Sequence, residues 1–273
     1  MIAFDVLSRT RHRGNNVIRA RIVKMASQQS YYVGIDIGQQ TLSFSFLSAG
    51  RQRVLTYSGS VEEMLCYELG QNITRVVNPL TSKDATSGDK LLSMIDALPE
   101  FSPPNRILGF IVERQMGSQT FAQRDGIIFG YLRGKGIPGL IMDSRLRVSF
   151  TQWSMDKAGI LCLTVEEVKV LSRDADLRRL AEDTSDDDVV ADKRRTGRKV
   201  PLTKLAPMSF VRYRYPDYFT QVVDQTTKVD DICDALCYAY MCSQGLYNTK
   251  AISAMKKAKR SRRTKQASSD DDA

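Results

Sequence analysis

Two aspartates three residues apart lie in a segment, residues 228–245, that the sequence predicts to be helical. Small and apolar residues recur there at helical spacing, and Gly245 stands where the C-terminus of a helix favours glycine. Positions i and i+3 are neighbours on a helix surface, so Asp231 and Asp234 converge beside the apolar face. Because burying two carboxylates is costly without positive charge, we expect a divalent cation to meet them.

Two further acids lie in predicted strands. Asp36 interrupts the short apolar run 31–38, where it alternates with Ile35 and Ile37 and therefore faces the other side of the strand. No lysine or arginine is placed nearby in the sequence to pair with it. Glu113 directly follows another short apolar run and ends a second predicted strand. Both acids thus belong to segments that are otherwise buried.

The four acids converge if these two strands are neighbours in one sheet and the final helix packs against them. Carboxylates so close together repel one another strongly unless cations bind between them. We therefore expect Asp36, Glu113, Asp231 and Asp234 to bind two Mg²⁺ ions, which would clamp a phosphodiester for hydrolysis. Each acid alone also fits a solvated helix face or an ordinary strand end; their order and placement together favour the metal site.

The remaining periodicity predicts an α/β fold that would position these acids. Five strands are predicted, the first three joined by tight turns as an antiparallel meander: 31–38, 41–47, 53–57, 107–112 and 140–142. Helices are predicted at 61–69, 90–98 and 119–133, the first from a capping box formed by Ser60 and Glu63. Residues 161–171 fit either helix or strand. We expect a mixed five-stranded sheet, three antiparallel strands and then parallel strands, flanked by helices.

Composition bounds the class of protein and its domains. The 273 residues carry 40 Lys and Arg against 31 Asp and Glu, and a net charge of +9 favours nucleic acid or an anionic membrane surface as partner. No apolar run is long enough for a membrane span, which requires roughly 18 residues, and the five cysteines lack a CxxC pair. We expect a soluble, intracellular protein with reduced cysteines, and the single histidine argues against zinc or histidine catalysis.

One large domain is expected at residues 30–248, with a polar, acidic insertion at about 172–199. The basic leader 1–29 is expected to be disordered; it fits a mitochondrial targeting peptide, a nucleic-acid-binding arm or translated sequence upstream of Met25. Residues 249–273 form a basic and then acidic tail, also expected to be disordered, which fits added DNA affinity or a nuclear localisation signal.

The order of the motifs resembles the RuvC-like Holliday junction resolvases, and among them the poxvirus and yeast-mitochondrial type. The matching segments span about residues 31–245: Gly34-Ile-Asp36-Ile-Gly38, Ile111-Val-Glu113-Arg-Gln115 and Lys228-Val-Asp-Asp231-Ile-Cys-Asp234. The resemblance implies a ribonuclease-H-like fold and a homodimer that makes paired symmetric nicks in four-way DNA junctions. Such an enzyme would serve DNA recombination, repair or viral DNA processing, in the nucleus or cytoplasm of a host cell if viral, or alternatively in the mitochondrion.

The resemblance also implies roles for individual residues. The four acids would be the catalytic ligands of two Mg²⁺ or Mn²⁺ ions, with Asp36 bridging both and Asp230 a neighbouring acid that the motif does not fully exclude. The candidates for DNA phosphate contacts are Gln115, Arg198, Lys199, Lys204 and Lys228. The acidic insertion and both basic tails depart from a minimal resolvase.

Three other functions remain open from the sequence. Another ribonuclease-H-like nuclease would share the metal site. A sugar kinase or ATPase of the actin-like fold has a phosphate loop that begins like residues 33–41, but its second phosphate loop and its glycine pair for adenosine are absent from this sequence. A non-catalytic DNA-binding protein would need only the positive charge, which leaves four acids in a DNA-binding cleft unexplained.

Overall fold

The structure is a computed structural model that describes residues 28–38, 41–114, 119–164, 167, 200–226 and 228–247, with side chains for all except 119–122 and 200–203. Nearly all of the basic leader, the acidic insertion and the tail lie outside the described residues. So do three of the candidate phosphate contacts, Gln115, Arg198 and Lys199. Within the described residues, no helix is both long and apolar enough to cross a membrane.

A mixed seven-stranded sheet forms the centre of the molecule. Its strands are β1 (Ser30–Ile37), β2 (Leu42–Ser48), β3 (Val54–Gly59), β4 (Glu63–Glu68), β5 (Thr74–Val77), β6 (Arg106–Arg114) and β7 (Gly139–Asp143). Their order is β5-β4-β3-β2-β1-β6-β7. The first five pair antiparallel, whereas β6 is parallel to β1 and β7 to β6. The predicted mixed α/β sheet is confirmed, but the predicted count of five strands is wrong.

The helix predicted at residues 61–69 is the strand β4. Ser60 Oγ accepts hydrogen bonds from the Glu62 and Glu63 amides at 3.2 Å, as a capping residue does, yet the chain then extends and pairs with β3. Met64 and Tyr67 bury on opposite faces of the sheet, so both faces of the segment are apolar. Pairing with β3 and burial on both faces of the sheet favour a strand here, although the capping hydrogen bonds of Ser60 favour a helix. The partner strand β5 is short and mostly exposed, and no apolar pattern marks it.

Helices cover both faces of the sheet. They are α1 (Ser87–Ala97), α2 (Gln119–Gly134), α3 (Ser144–Ala158), α4 (Val200–Arg214), α5 (Pro216–Gln225) and α6 (Val229–Ser243), with a 3₁₀ turn at Pro99–Phe101. Helices α1 and α2 pack on one face and α3 to α6 on the other. Helices α1, α2 and α6 confirm three predicted helices, and Gly245 follows α6 in the left-handed conformation, φ 79°. Helix α3 lies in a part of the chain for which no helix or strand was predicted.

Helix α6 lies directly against the backbone of β1. A Cβ atom added to Gly34 would be 2.0 Å from the Ala235 carbonyl oxygen and 2.2 Å from the Ala239 amide nitrogen, so no side chain fits between strand and helix. On β6, a Cβ added to Gly109 would be 3.2 Å from Cys242 Sγ. Glycine on the strands and alanine on the helix therefore determine how closely α6 approaches the sheet.

Substituting Gly34 by alanine will force α6 away from β1. We expect the variant to lose roughly 3 kcal/mol of unfolding free energy or more, at the upper end of overpacking costs, as measured by urea denaturation. Gly50→Ala is the matched control, because nothing lies within 4 Å of a Cβ at that turn. Equal stability of the two variants would contradict the close approach.

Candidate metal centre

Three carboxylates meet where β1, β6 and α6 come together. Strands β1 and β6 pair in parallel with Ile35 opposite Val112, which makes Asp36 and Glu113 the next residues on neighbouring strands. Helix α6 adds Asp234, and one carboxylate oxygen from each of the three acids lies within 4.8 Å of the others. We call Asp36, Glu113 and Asp234 the acidic cluster. Strands β1 and β6 are therefore neighbours in the sheet, as the convergence of these acids requires.

Burial makes negative charge in the acidic cluster costly. Asp36 and Asp234 are each 7% exposed, and Glu113 is 9% exposed. Burial, followed by repulsion from Glu113 and Asp234, raises the pKa of Asp36 well above its ordinary value. Burial likewise raises the pKa of Asp234, although the charge of Arg147 opposes that shift. The ionised cluster therefore requires nearby positive charge.

Arg147 of α3 supplies one positive charge that the sequence analysis missed. Its Nη1 donates a hydrogen bond to Glu113 Oε2 at 2.8 Å and forms an ion pair with Asp234 Oδ2 at 2.9 Å, and the side chain is 4% exposed. Burial disfavours the charged guanidinium, but the charges of Asp234 and Glu113 outweigh it, so its pKa lies well above the ordinary value. Arg147 follows Glu113 by 34 residues on an unpredicted helix, so no local pattern connected them.

The acidic cluster keeps an oxygen that can bind a cation. Asp234 Oδ1 is buried and has no hydrogen-bond partner among the residues that the structure describes. A carboxylate oxygen left in this way fits a hard cation, since Mg²⁺ and Mn²⁺ prefer oxygen ligands. The donor set of Asp36, Glu113 and Asp234 is therefore suited to such an ion.

Asp231 lies beside the acidic cluster rather than within it. Its Oδ2 accepts a hydrogen bond of 2.6 Å from Thr41 Oγ1, a residue that the sequence analysis did not single out. Its charge is among those that raise the pKa of Asp36, so the two carboxylates are electrostatically close. Burial and the charge of Asp230 raise the pKa of Asp231, while Thr41 and the nearby lysines lower it. The structure thus brings three of the four predicted acids together and places the fourth next to them.

The two described candidates for phosphate contacts, Lys204 and Lys228, both act electrostatically on Asp231 of α6. Lys204 of α4 forms an ion pair with Asp230, which is 3% exposed and is not among the three acids of the acidic cluster. Lys228 stands directly before α6, and its charge lowers the pKa of Asp231. Asp230 therefore joins α6 to α4, whereas Lys228 adds positive charge near the cluster.

Comparisons of the chain with protein-family models, curated proteins and solved structures found no match.

Replacing Lys204 by methionine will leave Asp230 buried without its cation. We expect a loss of roughly 2 kcal/mol in unfolding free energy, less than for a fully buried pair because a third of the Lys204 side chain is exposed. Adding Asp230→Asn should recover part of that loss, and exposed Lys83→Met is the control. A double-mutant cycle in urea checks this; additive losses would contradict the ion pair.

Asp36→Asn will stabilise the protein when divalent cations are absent. Because folding raises the pKa of Asp36, the folded state binds its proton more tightly, and stability falls as pH rises through the folded-state pKa. The variant should therefore melt at a higher temperature than the wild type at pH 7.5 in EDTA, and this difference should shrink towards pH 4. Exposed Asp84→Asn is the control and should change neither melting temperature nor its pH dependence.

Proposed function

We propose that the protein is a divalent-metal-dependent endonuclease of the ribonuclease-H-like type, which resolves four-way DNA junctions by paired symmetric nicks. The observation that carries this proposal is the convergence of Asp36, Glu113 and Asp234 within 4.8 Å on two parallel strands and the final helix. These are three of the four acids that the resemblance to RuvC-like resolvases implies, in the same chain order and on the same kinds of element.

The sheet topology supports the same proposal. Without β4 and β5, the strand order is β3-β2-β1-β6-β7, with three antiparallel strands followed by two parallel ones. This order agrees with the five strands predicted from the sequence, with an antiparallel pair added at one edge, and it supports the proposed ribonuclease-H-like fold. The extension lies on the side of the sheet away from β6, so it leaves the arrangement of the acidic cluster intact.

In the proposed reaction the acidic cluster holds Mg²⁺ or Mn²⁺, with two ions per site as the resemblance implies. When bound, such ions polarise the phosphodiester and stabilise the charge that develops during its hydrolysis. Asp36, Glu113 and Asp234 would provide the ligands, and Asp231 would join them from beside the cluster. Burial of these side chains keeps the ligands fixed and strengthens their electrostatic interactions.

The proposed substrate and assembly follow from charge and symmetry. The net charge of +9 favours association with the DNA backbone, and Lys228 places one cation near the acidic cluster. Two symmetric nicks require two active sites related by a two-fold axis, so we propose a homodimer. The protein would act in the nucleus or cytoplasm of an infected cell if viral, or in a mitochondrion.

Purified protein with Mg²⁺ should nick a labelled four-way junction at symmetric positions. Linear duplex and RNA–DNA hybrid of the same sequence should stay intact, and Asp36→Asn should lower the rate by about a thousandfold or more, as loss of a major electrostatic group does. Asp84→Asn is the matched control and should cut at the wild-type rate.

Each alternative function gives a different result in this assay. Cutting of the hybrid alone would favour another ribonuclease-H-like nuclease, and junction binding without cutting would favour a non-catalytic DNA-binding protein. ATP hydrolysis without nuclease activity would favour the kinase. Full junction cleavage by Asp36→Asn would contradict the proposed site.

A further inference from the structure

Arg147 already pairs with two of the carboxylates that a second divalent ion would need as ligands. Its Nη1 already binds Glu113 Oε2 and Asp234 Oδ2, at 2.8 and 2.9 Å. One of the two Asp231 oxygens, Oδ2, accepts a hydrogen bond from Thr41. One oxygen of each acid in the cluster lies within 4.8 Å of the other two, which is close enough for one shared cation.

The position of Arg147 is fixed by its surroundings. The guanidinium carbon lies 5.2 Å from the ring of Tyr238, a residue of α6, in a cation–π arrangement. Helix α3 is anchored around it, since Val148 and Thr151 are buried. Arg147 Nε has no hydrogen-bond partner among the described residues, so the guanidinium is held chiefly by Glu113, Asp234 and the Tyr238 ring. If Arg147 leaves the two carboxylates, these are the contacts that it breaks.

Charge balance also favours a single ion in the absence of DNA. The three acids of the acidic cluster and Asp231 carry four negative charges when ionised. Arg147 and one divalent cation offset three of these, which leaves one net negative charge. A second ion beside a buried guanidinium would make the site net positive, and like charges at short range in a buried site repel strongly. A DNA phosphate adds negative charge at this point and offers Arg147 another partner.

We infer that Arg147 and a second divalent ion compete for Glu113 and Asp234. The free protein then binds one ion tightly, and the second position fills only when a phosphodiester arrives. Arg147 is thus a positioning residue that keeps the two carboxylates together and makes the second ion depend on substrate. This inference rests on the proposed metal-dependent function, since it concerns how the same site is loaded.

The test is Mn²⁺ binding to the full-length protein without DNA, measured by calorimetry and by electron paramagnetic resonance of free Mn²⁺. The wild type should bind one Mn²⁺ per chain, with any second ion weaker by at least about tenfold, the scale expected for an opposing buried charge. Arg147→Met should bind a second ion at least about tenfold more tightly than the wild type. Arg147→Lys, which keeps the charge, should retain one-ion binding.

Arg145→Met is the matched control, because this arginine lies two residues away on the same helix with its side chain 79% exposed; its Mn²⁺ binding should equal that of the wild type. Two equally tight ions on the wild type would overturn the inference without any variant having to fold. Unchanged one-ion binding by folded Arg147→Met would also overturn it. If the wild type binds no more Mn²⁺ than Asp36→Asn does, the proposed metal site itself fails, which is a distinct result.

Discussion

The contact between α6 and β1 at Gly34 determines where the acids of the site lie. The Ala235 carbonyl occupies the position in which any side chain at Gly34 would stand, so strand and helix meet backbone to backbone. Asp234 precedes Ala235 on the helix, and Asp36 follows Gly34 by two residues on the same face of the strand. Close approach of the two backbones therefore brings the two carboxylates together, and the register of β6 adds Glu113. A bulkier strand residue would separate the acids before any charge interaction could act.

Electrostatic repulsion opposes this packing, and the structure offsets it with contacts from distant parts of the chain. Arg147 of α3 binds Glu113 and Asp234, Thr41 donates to Asp231, and Lys204 of α4 pairs with the separate acid Asp230. These contacts hold the carboxylates but leave Asp234 Oδ1 without a hydrogen-bond partner among the described residues. A site that is costly to bury and incompletely satisfied is typical of function rather than of stability. Three carboxylates converge, and one of their oxygens has no hydrogen-bond partner among the described residues. For these two reasons we favour a cation site over a structural ion-pair network.

Sequence periodicity predicted the strands and helices that have a simple apolar pattern. It failed for the elements and contacts that depend on residues far apart in the chain. Strands β1 and β6 and helix α6 each have one dominant apolar pattern, so all three were predicted. Because β1 and β6 are neighbours, Asp36 and Glu113 come together, and α6 adds Asp234. Residues 61–69 contain a capping signal, but pairing with β3 and burial on both faces made them a strand. Strand β5 is exposed and has no pattern to detect. Arg147 could not be connected to the acids from sequence, because an ion pair across 34 residues depends on how α3 packs against α6.

The most direct test of the metal centre is a crystal structure of the protein grown with Mn²⁺, with anomalous diffraction data that locate the ion. We expect an anomalous peak among Asp36, Glu113 and Asp234, about 2.2 Å from an oxygen of each, the distance expected for a hard divalent cation. The same crystals of Asp36→Asn should lack the peak. A wild-type structure with Mn²⁺ bound elsewhere, or with no anomalous peak at these three carboxylates, would show that the acidic cluster is not a metal site.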